Sequence, residues 1–330
     1  MTLVNLWAGA LALALLLYVL LDGFDLGVGI LFPFAPGERA RRHMLSAISP
    51  VWDGNETWLV VAGATLFGAF PLVYATLLSA LYLPVIVLLA GLILRGVAFE
   101  FRYKTVQFRW LWDGGFVVGS YAATLVQGAA VGALVQGLAV ENGRYVGGAF
   151  AWLSPFALLC GAGLCIGYAL IGACWLIGKT DNDARAFGYG VLPGLLGALL
   201  IFLLAAFVYA AAIDLPLLGR WIERPYLLVF PLLGIIAVGG LILGLRTRND
   251  RLSFPMAALI FLAAYGTLAA SFLPYMVPFS ITIDEAAAPE SSLRFLFWGA
   301  GLFVFPLTLA YTAAVYFIFR GKVVGEADYH

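Results

Sequence analysis

Apolar runs long enough to cross a bilayer recur along this chain from end to end, and they constrain its fold more than any motif does. A hydrocarbon core of ~30 Å takes about 20 helical residues to cross. Nine runs are predicted to span, over 3–33, 46–68, 72–99, 113–136, 150–177, 188–212, 226–245, 254–276 and 295–319. An outer-membrane barrel would show alternating segments of about 10 residues instead. The composition agrees, with 63% of residues hydrophobic and 11% charged, where a soluble domain carries about a quarter charged. The expectation is an all-α polytopic membrane protein, a single integral-membrane domain over residues 1–330. Its first run lacks a basic leader and a small-residue cleavage pattern, so it is expected to be retained as a span.

The basic residues orient these spans. Fourteen of the eighteen Lys and Arg fall on one side: Arg39, Arg41, Arg42, Arg95, Arg102, Lys104, Arg109, Lys179, Arg185, Arg246, Arg248, Arg251, Arg320 and Lys322. Only Arg144, Arg220, Arg224 and Arg294 fall on the other. By the positive-inside rule the N-terminus lies outside and the C-terminus in the cytoplasm. An odd number of spans fits that result.

Against this apolar background six acids gather toward the cytoplasmic side. In "LDGFDLGVGILFPF" (21–34), Asp22 and Asp25 stand three residues apart, on one helix face. The uncharged run Leu3–Leu21 before them covers ~28 Å, so they sit near its far end with apolar helix continuing beyond. Gly23 and Gly27 form a GxxxG that lets another helix come close. The second span opens with "VWDGNETW" (51–58), where Asp53 and Glu56 repeat the three-residue spacing beside Trp52 and Asn55. Glu100 ends the third span and Asp113 begins the fourth, and Arg95 stands at a depth where an unpaired guanidinium is costly.

Carboxyl groups held in low dielectric retain and pass protons, which suits a hydrated polar channel. Hard cations also favour clustered oxygens, and the spacing does not separate the two uses. Acids near an interface also serve as helix caps or arginine partners, which is the plainer reading for Glu100 and Asp113. Three functions remain open on the residues alone: a subunit of a proton-handling complex, an H+- or Na+-coupled secondary transporter, and a purely structural membrane scaffold. Paired Gly/Pro-broken helices, common in transporters, are not evident.

Other chemistries are absent from the sequence. There is no Walker A motif, no GxSxG, no Cys/His cluster suited to a metal, and no basic patch suited to nucleic acid. Cys160, Cys165 and Cys174 share one apolar run without a CxxC pair and are expected to pack between helices. The two histidines, His43 and His330, both lie outside the spans, so this chain is not expected to ligate haem through histidine.

At "LDGFDLGVGILFPF" and "PVWDGNETWLV" the chain closely resembles subunit II of the cytochrome bd-type quinol oxidases. "FPLVYATLLSALYLP" (70–84), "RGVAFEFR" (95–102) and "WDGGFVVGS" (112–120) add to the resemblance, and the wording is nearest the cyanide-insensitive branch. These motifs cover roughly residues 18–128; beyond them the likeness rests on hydropathy, length and span count. The resemblance implies two four-helix bundles plus a peripheral helix in a bacterial cytoplasmic (inner) membrane. It implies an electrogenic, non-pumping quinol:O2 oxidoreductase complex with no metal or cofactor held by this chain. Two haems b and one haem d would sit on a haem-bearing partner, subunit I, whose assembly this chain supports; a small single-helix subunit and membrane lipid are further partners. It also implies a proton route from the cytoplasm in which Asp25 and Asp53 act as relays, helped by Asp22 and Glu56. Trp52, Asn55, Arg95, Glu100 and Asp113 would support that route. Glu56 is the weakest of the four, since some family members carry Gln there.

Overall fold

The computed structural model describes residues 2–105, 107–213, 221 and 224–323. Arg220 and His330, used in the sequence argument, lie outside the described residues. Helix α1 (Leu3–Leu31) begins on Thr2, whose side chain accepts the Asn5 amide at 3.3 Å. After a short 3-10 turn, the polar stretch "ERARRHMLSAI" forms the amphipathic helix α2 (Glu38–Ile48), burying Ala40, Met44, Leu45 and Ile48. There follow α3 (Trp52–Ala69), α4 (Pro71–Ala80), α5 (Tyr82–Lys104), α6 (Arg109–Gln136), α7 (Pro155–Lys179) and α8 (Asn182–Ala212). The chain continues through α9 (Val229–Thr247) and α10 (Asp250–Phe272) to the short α11 (Ile283–Ala286) and α12 (Glu290–Leu296). A π-helical turn at Phe297–Gly301 leads into α13 (Val304–Ile318).

Among the described residues, eight helical segments are long and apolar enough to cross a membrane, nine if α3 and α4, bent by 120° at their junction, are counted as one span. The all-helical, polytopic expectation therefore holds, with two differences in detail. The second span does not begin at residue 46: α2 ends at Ile48, Pro50 supplies no amide to extend a helix, and α3 starts at Trp52. The third is not one helix over 72–99. The chain turns at Phe70, whose backbone the following Pro71 keeps out of the helical region, and breaks again at Leu81, just before Pro84 in the first turn of α5.

Packing runs α5–α6–α7–α8, with α1 lying in the angle between α3, α6 and α7, and α10 against α7. The contact of α1 with α7 explains the GxxxG. A Cβ on Gly27 would overlap the Tyr168 carbonyl, and one on Gly172 would stand 2.7 Å from the Gly27 backbone. Helices so close bury every residue of α1 from Asp22 to Leu31. One core joins this end of α1 to α2 and α5–α10, and a second forms around Trp7, Tyr18, Trp58 and Phe70.

Two small hairpins lie in the loops, β1–β2 (Val140–Glu141, Arg144–Tyr145) and β3–β4 (Tyr275–Val277, Ile281–Thr282). The first turns on Asn142 and Gly143, both at positive φ (49° and 73°), which is the turn an Asn-Gly pair favours. The Thr76 hydroxyl donates to the Gly143 carbonyl at 2.9 Å and ties it to α4.

Candidate functional site

Three helices bring the central polar groups together. Asp22 and Asp25 from α1 have no solvent exposure, and Arg95 from α5 is 1% exposed. Arg95 Nη2 donates to Asp22 Oδ1 at 2.9 Å and also to Glu56 of α3. From the same turn of α3, Asn55 Nδ2 donates to Asp25 Oδ2 at 2.7 Å and to the Leu21 carbonyl at 3.2 Å. Asp22 and Glu56 thus share the Arg95 guanidinium, with Asp25 beside them on Asn55; the two aspartates are sealed from water and Glu56 is partly open to it. With all three as anions, one cation would face three charges, leaving at least one of the two fully buried aspartates uncompensated at several kcal/mol by order of magnitude.

Its hydrogen bonding is also incomplete. Asp22 Oδ2, Asp25 Oδ1, Arg95 Nε and Nη1, and Thr124 Oγ1 are buried without a protein partner. Buried polar atoms are ordinarily satisfied by protein or by ordered water. Four orphaned atoms on three adjoining side chains mark a place where water completes the network.

Asp53 and Glu56 do not share one environment, although the sequence pairs them. At 3.6 residues per turn, Asp53 lies about 200° round α3 from Asn55, the residue aimed at α1. It faces outward and exposed, while Glu56 is rotated far enough to reach Arg95. Trp52 packs sideways onto α5, its ring 5.4 Å from that of Phe99. Glu100 is exposed and makes no bond to the cluster.

Asp113 belongs to a separate network at the rim where α5 ends and α2 and α6 begin. Arg102 donates Nε to Asp113 and Nη2 to both oxygens of Glu38 at 3.1 and 3.0 Å. Arg109 reaches Glu38 at 3.2 Å and Arg41 reaches Asp113 at 3.6 Å. Glu38, which sequence reasoning passed over, is thus the hinge of this network.

Sequence reasoning also missed the polar groups nearest the buried acids. Tyr18, one turn before Asp22, accepts from Gln127 Nε2 at 2.9 Å, and Tyr168 donates to Gln127 Oε1 at 3.1 Å. Tyr316 of α13 donates to Asn55 Oδ1 at 3.0 Å. Gln127 was detectable as an amide midway along an apolar run; the tyrosines were hidden among fifteen of their kind.

Among the described residues, no group of three or more His, Cys, Asp or Glu side chains could hold a metal ion. Nor do these residues fit a haem. The only described histidine, His43, sits on α2 outside the spans, and Cys160, Cys165 and Cys174 are spread along α7.

The family model for cytochrome bd terminal oxidase subunit II matches residues 3–319. The chain is 30% identical over 362 residues to the cytochrome bd-I ubiquinol oxidase subunit 2 of Escherichia coli K12, covering 97% of this chain and 95% of that one. It is 33% identical to a probable cytochrome oxidase subunit 2 of Haemophilus influenzae, over 95% of this chain and 89% of that one. The solved structure of the bd oxidase from Geobacillus thermodenitrificans contains a chain of like fold, with a TM-score of 0.79. That chain shares 18% identity, with 97% of this chain and 98% of that one covered.

Proposed function

The chain belongs to the cytochrome bd terminal oxidase subunit II family, and from that premise we propose that its buried acids carry protons from the cytoplasm toward the oxygen-reducing haem site of a partner. Membership makes it one subunit of a quinol oxidase, an oxidoreductase complex that uses haem and quinol. Of the three functions the sequence left open, it selects the oxidase subunit. The haems are assigned to subunit I, because no spanning helix here offers a histidine.

One observation carries the proposal: three carboxyls gather with a single arginine, and two of them, Asp22 and Asp25, are sealed from solvent, each with an oxygen left without a hydrogen-bond partner. A scaffold gains nothing from that excess. Ionisable groups at membrane depth are costly and mark ion or proton pathways. Asp25 is the relay proper, held by Asn55 and adjoining Asp22, Glu56 and Arg95. Asp53 faces outward one turn from Glu56 and is the handover point toward the partner. The α3 face it shares with Thr57, Val60 and Phe67 is exposed, and there subunit I is placed. The exposed faces of α8 and α9, by contrast, carry Ile201, Leu204, Phe207, Ile235 and Ile236 and suit lipid.

The orientation that makes this route cytoplasmic is the one the basic residues give, in a bacterial inner membrane. The reaction takes its water-forming protons from inside and so builds a gradient without pumping. The test is Asp25→Asn and Asp53→Asn in the complete oxidase. Oxygen reduction slows, while co-purification with subunit I and the haem spectrum stay as in the wild type. If both variants assemble and turn over normally, the acids are structural and the proposal fails.

A further inference from the structure

The last spanning segment buries none of its apolar window, yet it sends one side chain into the acid cluster. Tyr316 donates to Asn55 Oδ1 at 3.0 Å, and its ring stands edge-on to Trp175 with centroids 6.0 Å apart. A primary amide has one accepting end and one donating end. The Leu21 carbonyl, which only accepts, takes the NH2 end, and the Tyr316 hydroxyl donating to Oδ1 holds the opposite end, so together they keep the Asn55 NH2 turned toward Asp25 Oδ2. A flipped amide would set its oxygen against the Asp25 carboxyl instead.

What holds Tyr316 at that position lies beyond the end of α13. Lys322 Nζ contacts Asp181 Oδ1 at 2.7 Å and Asp250 Oδ2 at 2.8 Å. Val323 donates its amide to the Lys179 carbonyl at 2.8 Å, and Lys179 Nζ returns a bond to the Phe319 carbonyl. Asp250 is itself held by Arg185 at 2.9 Å and Tyr189 at 2.8 Å. The segment is therefore fastened to the α7–α8 and α9–α10 turns, six residues beyond the tyrosine. Hydrogen-bond geometry tolerates only a few tenths of an ångström, and α13 has little buried side-chain packing of its own to supply that precision.

We propose that this fastening is a positioning device for the acid cluster: Lys322 sets the last helix, Tyr316 passes that setting to Asn55, and Asn55 orients Asp25. It rests on the proton-route reading above. The other groups around Asp25 are Asp22 on α1, Glu56 on α3, Arg95 on α5 and Tyr168 on α7, and none of them performs this orientation.

The test uses the complete oxidase with its haem-bearing partner. Tyr316→Phe keeps the ring beside Trp175 and removes only the hydroxyl. Turnover falls roughly three- to tenfold, the size of one weakened hydrogen bond, while the KM for quinol and the haem spectrum stay unchanged. Lys322→Ala slows turnover by about two- to threefold, and Lys322→Arg restores it, since a guanidinium also spans two carboxylates. The double variant is no slower than Tyr316→Phe alone, because both act through one path.

Wild-type turnover in Tyr316→Phe overturns the proposal, and so does a multiplicative loss in the double variant. Should Tyr316→Phe fail to assemble, the lysine variants decide. A slow Lys322→Ala with a normal Lys322→Arg supports the device, and a normal Lys322→Ala overturns it. Asp25→Asn, measured alongside, separates the two ideas. If it is slow while Tyr316→Phe is normal, only the positioning role falls; if it is itself normal, the proton route falls first.

Discussion

Two charged networks lie within a few turns of one another and are built on opposite ratios. At the rim, Arg102, Arg109 and Arg41 face two carboxyls, Glu38 and Asp113. In the interior, Asp22 and Glu56 share one arginine, with Asp25 beside them on Asn55. The rim cations outnumber their acids, and although Arg102 is buried, Arg41, Arg109 and both acids lie partly open to water, where any excess is solvated cheaply. The interior acids outnumber their cation at a depth where Asp22 and Asp25 have no solvent exposure, and Asp25 keeps one oxygen without a hydrogen-bond partner. The rim is what a membrane protein needs to fasten helices. The interior is what the proposed proton route would need.

The sharpest way to break that contrast is to remove the single interior cation. Arg95→Met leaves Asp22 and Glu56 without their partner and should cost about 3–5 kcal/mol, as unpairing buried charges does. Loss of the assembled, haem-bearing complex on purification would show it; unchanged thermal stability would mean the acids are neutral in the folded chain without Arg95. Next in size is Asp25→Asn, which should lower oxygen reduction by roughly tenfold or more, the scale of a lost proton-transfer group.

The rim should respond in the other currency. Arg102→Met should lower the melting temperature of the complex, by about 1–3 kcal/mol of stability, because Glu38 and Asp113 remain partly solvated. Its turnover should stay at the wild-type level; a large turnover loss in an assembled complex would erase the distinction between the networks. Glu100→Gln, on an exposed position, should change stability by less than ~0.5 kcal/mol and leave turnover alone.

The smallest effect concerns pH and the Lys322 clamp. Burial works against the Lys322 ammonium, but the Asp181 and Asp250 carboxylates outweigh it and hold the group above its ordinary value. A raised folded value means the clamp contributes fully below the ordinary lysine range and is lost as pH rises through the folded value. The gap in stability between wild type and Lys322→Ala should close in alkaline buffer, and a gap that persists there would assign the effect to packing.

Much of this was legible in the sequence. Apolar run length gave the spans, since a helix must satisfy its own backbone in lipid. The GxxxG at Gly23 and Gly27 announced the close helix that Tyr168 and Gly172 belong to. The acids of "LDGFD" and the need of Arg95 for a partner were equally plain. What escaped was rotation. Sequence spacing groups Asp53 with Glu56 but does not say which side of α3 meets α1, and that depends on packing across the chain. The break at Leu81 escaped because one proline early in an apolar run reads as tolerable until the preceding helix is seen to turn. Tyr316 and Lys322 escaped for a different reason: their partners are more than two hundred and more than seventy residues away, respectively.

The central claim is most directly tested by timing proton uptake from the cytoplasmic side during a single oxygen pulse. The measurement uses the assembled oxidase in oriented vesicles, wild type against Asp25→Asn. The account predicts that uptake slows in step with oxygen reduction while the haem spectrum stays unchanged. Uptake at the wild-type rate in an intact Asp25→Asn complex would contradict it.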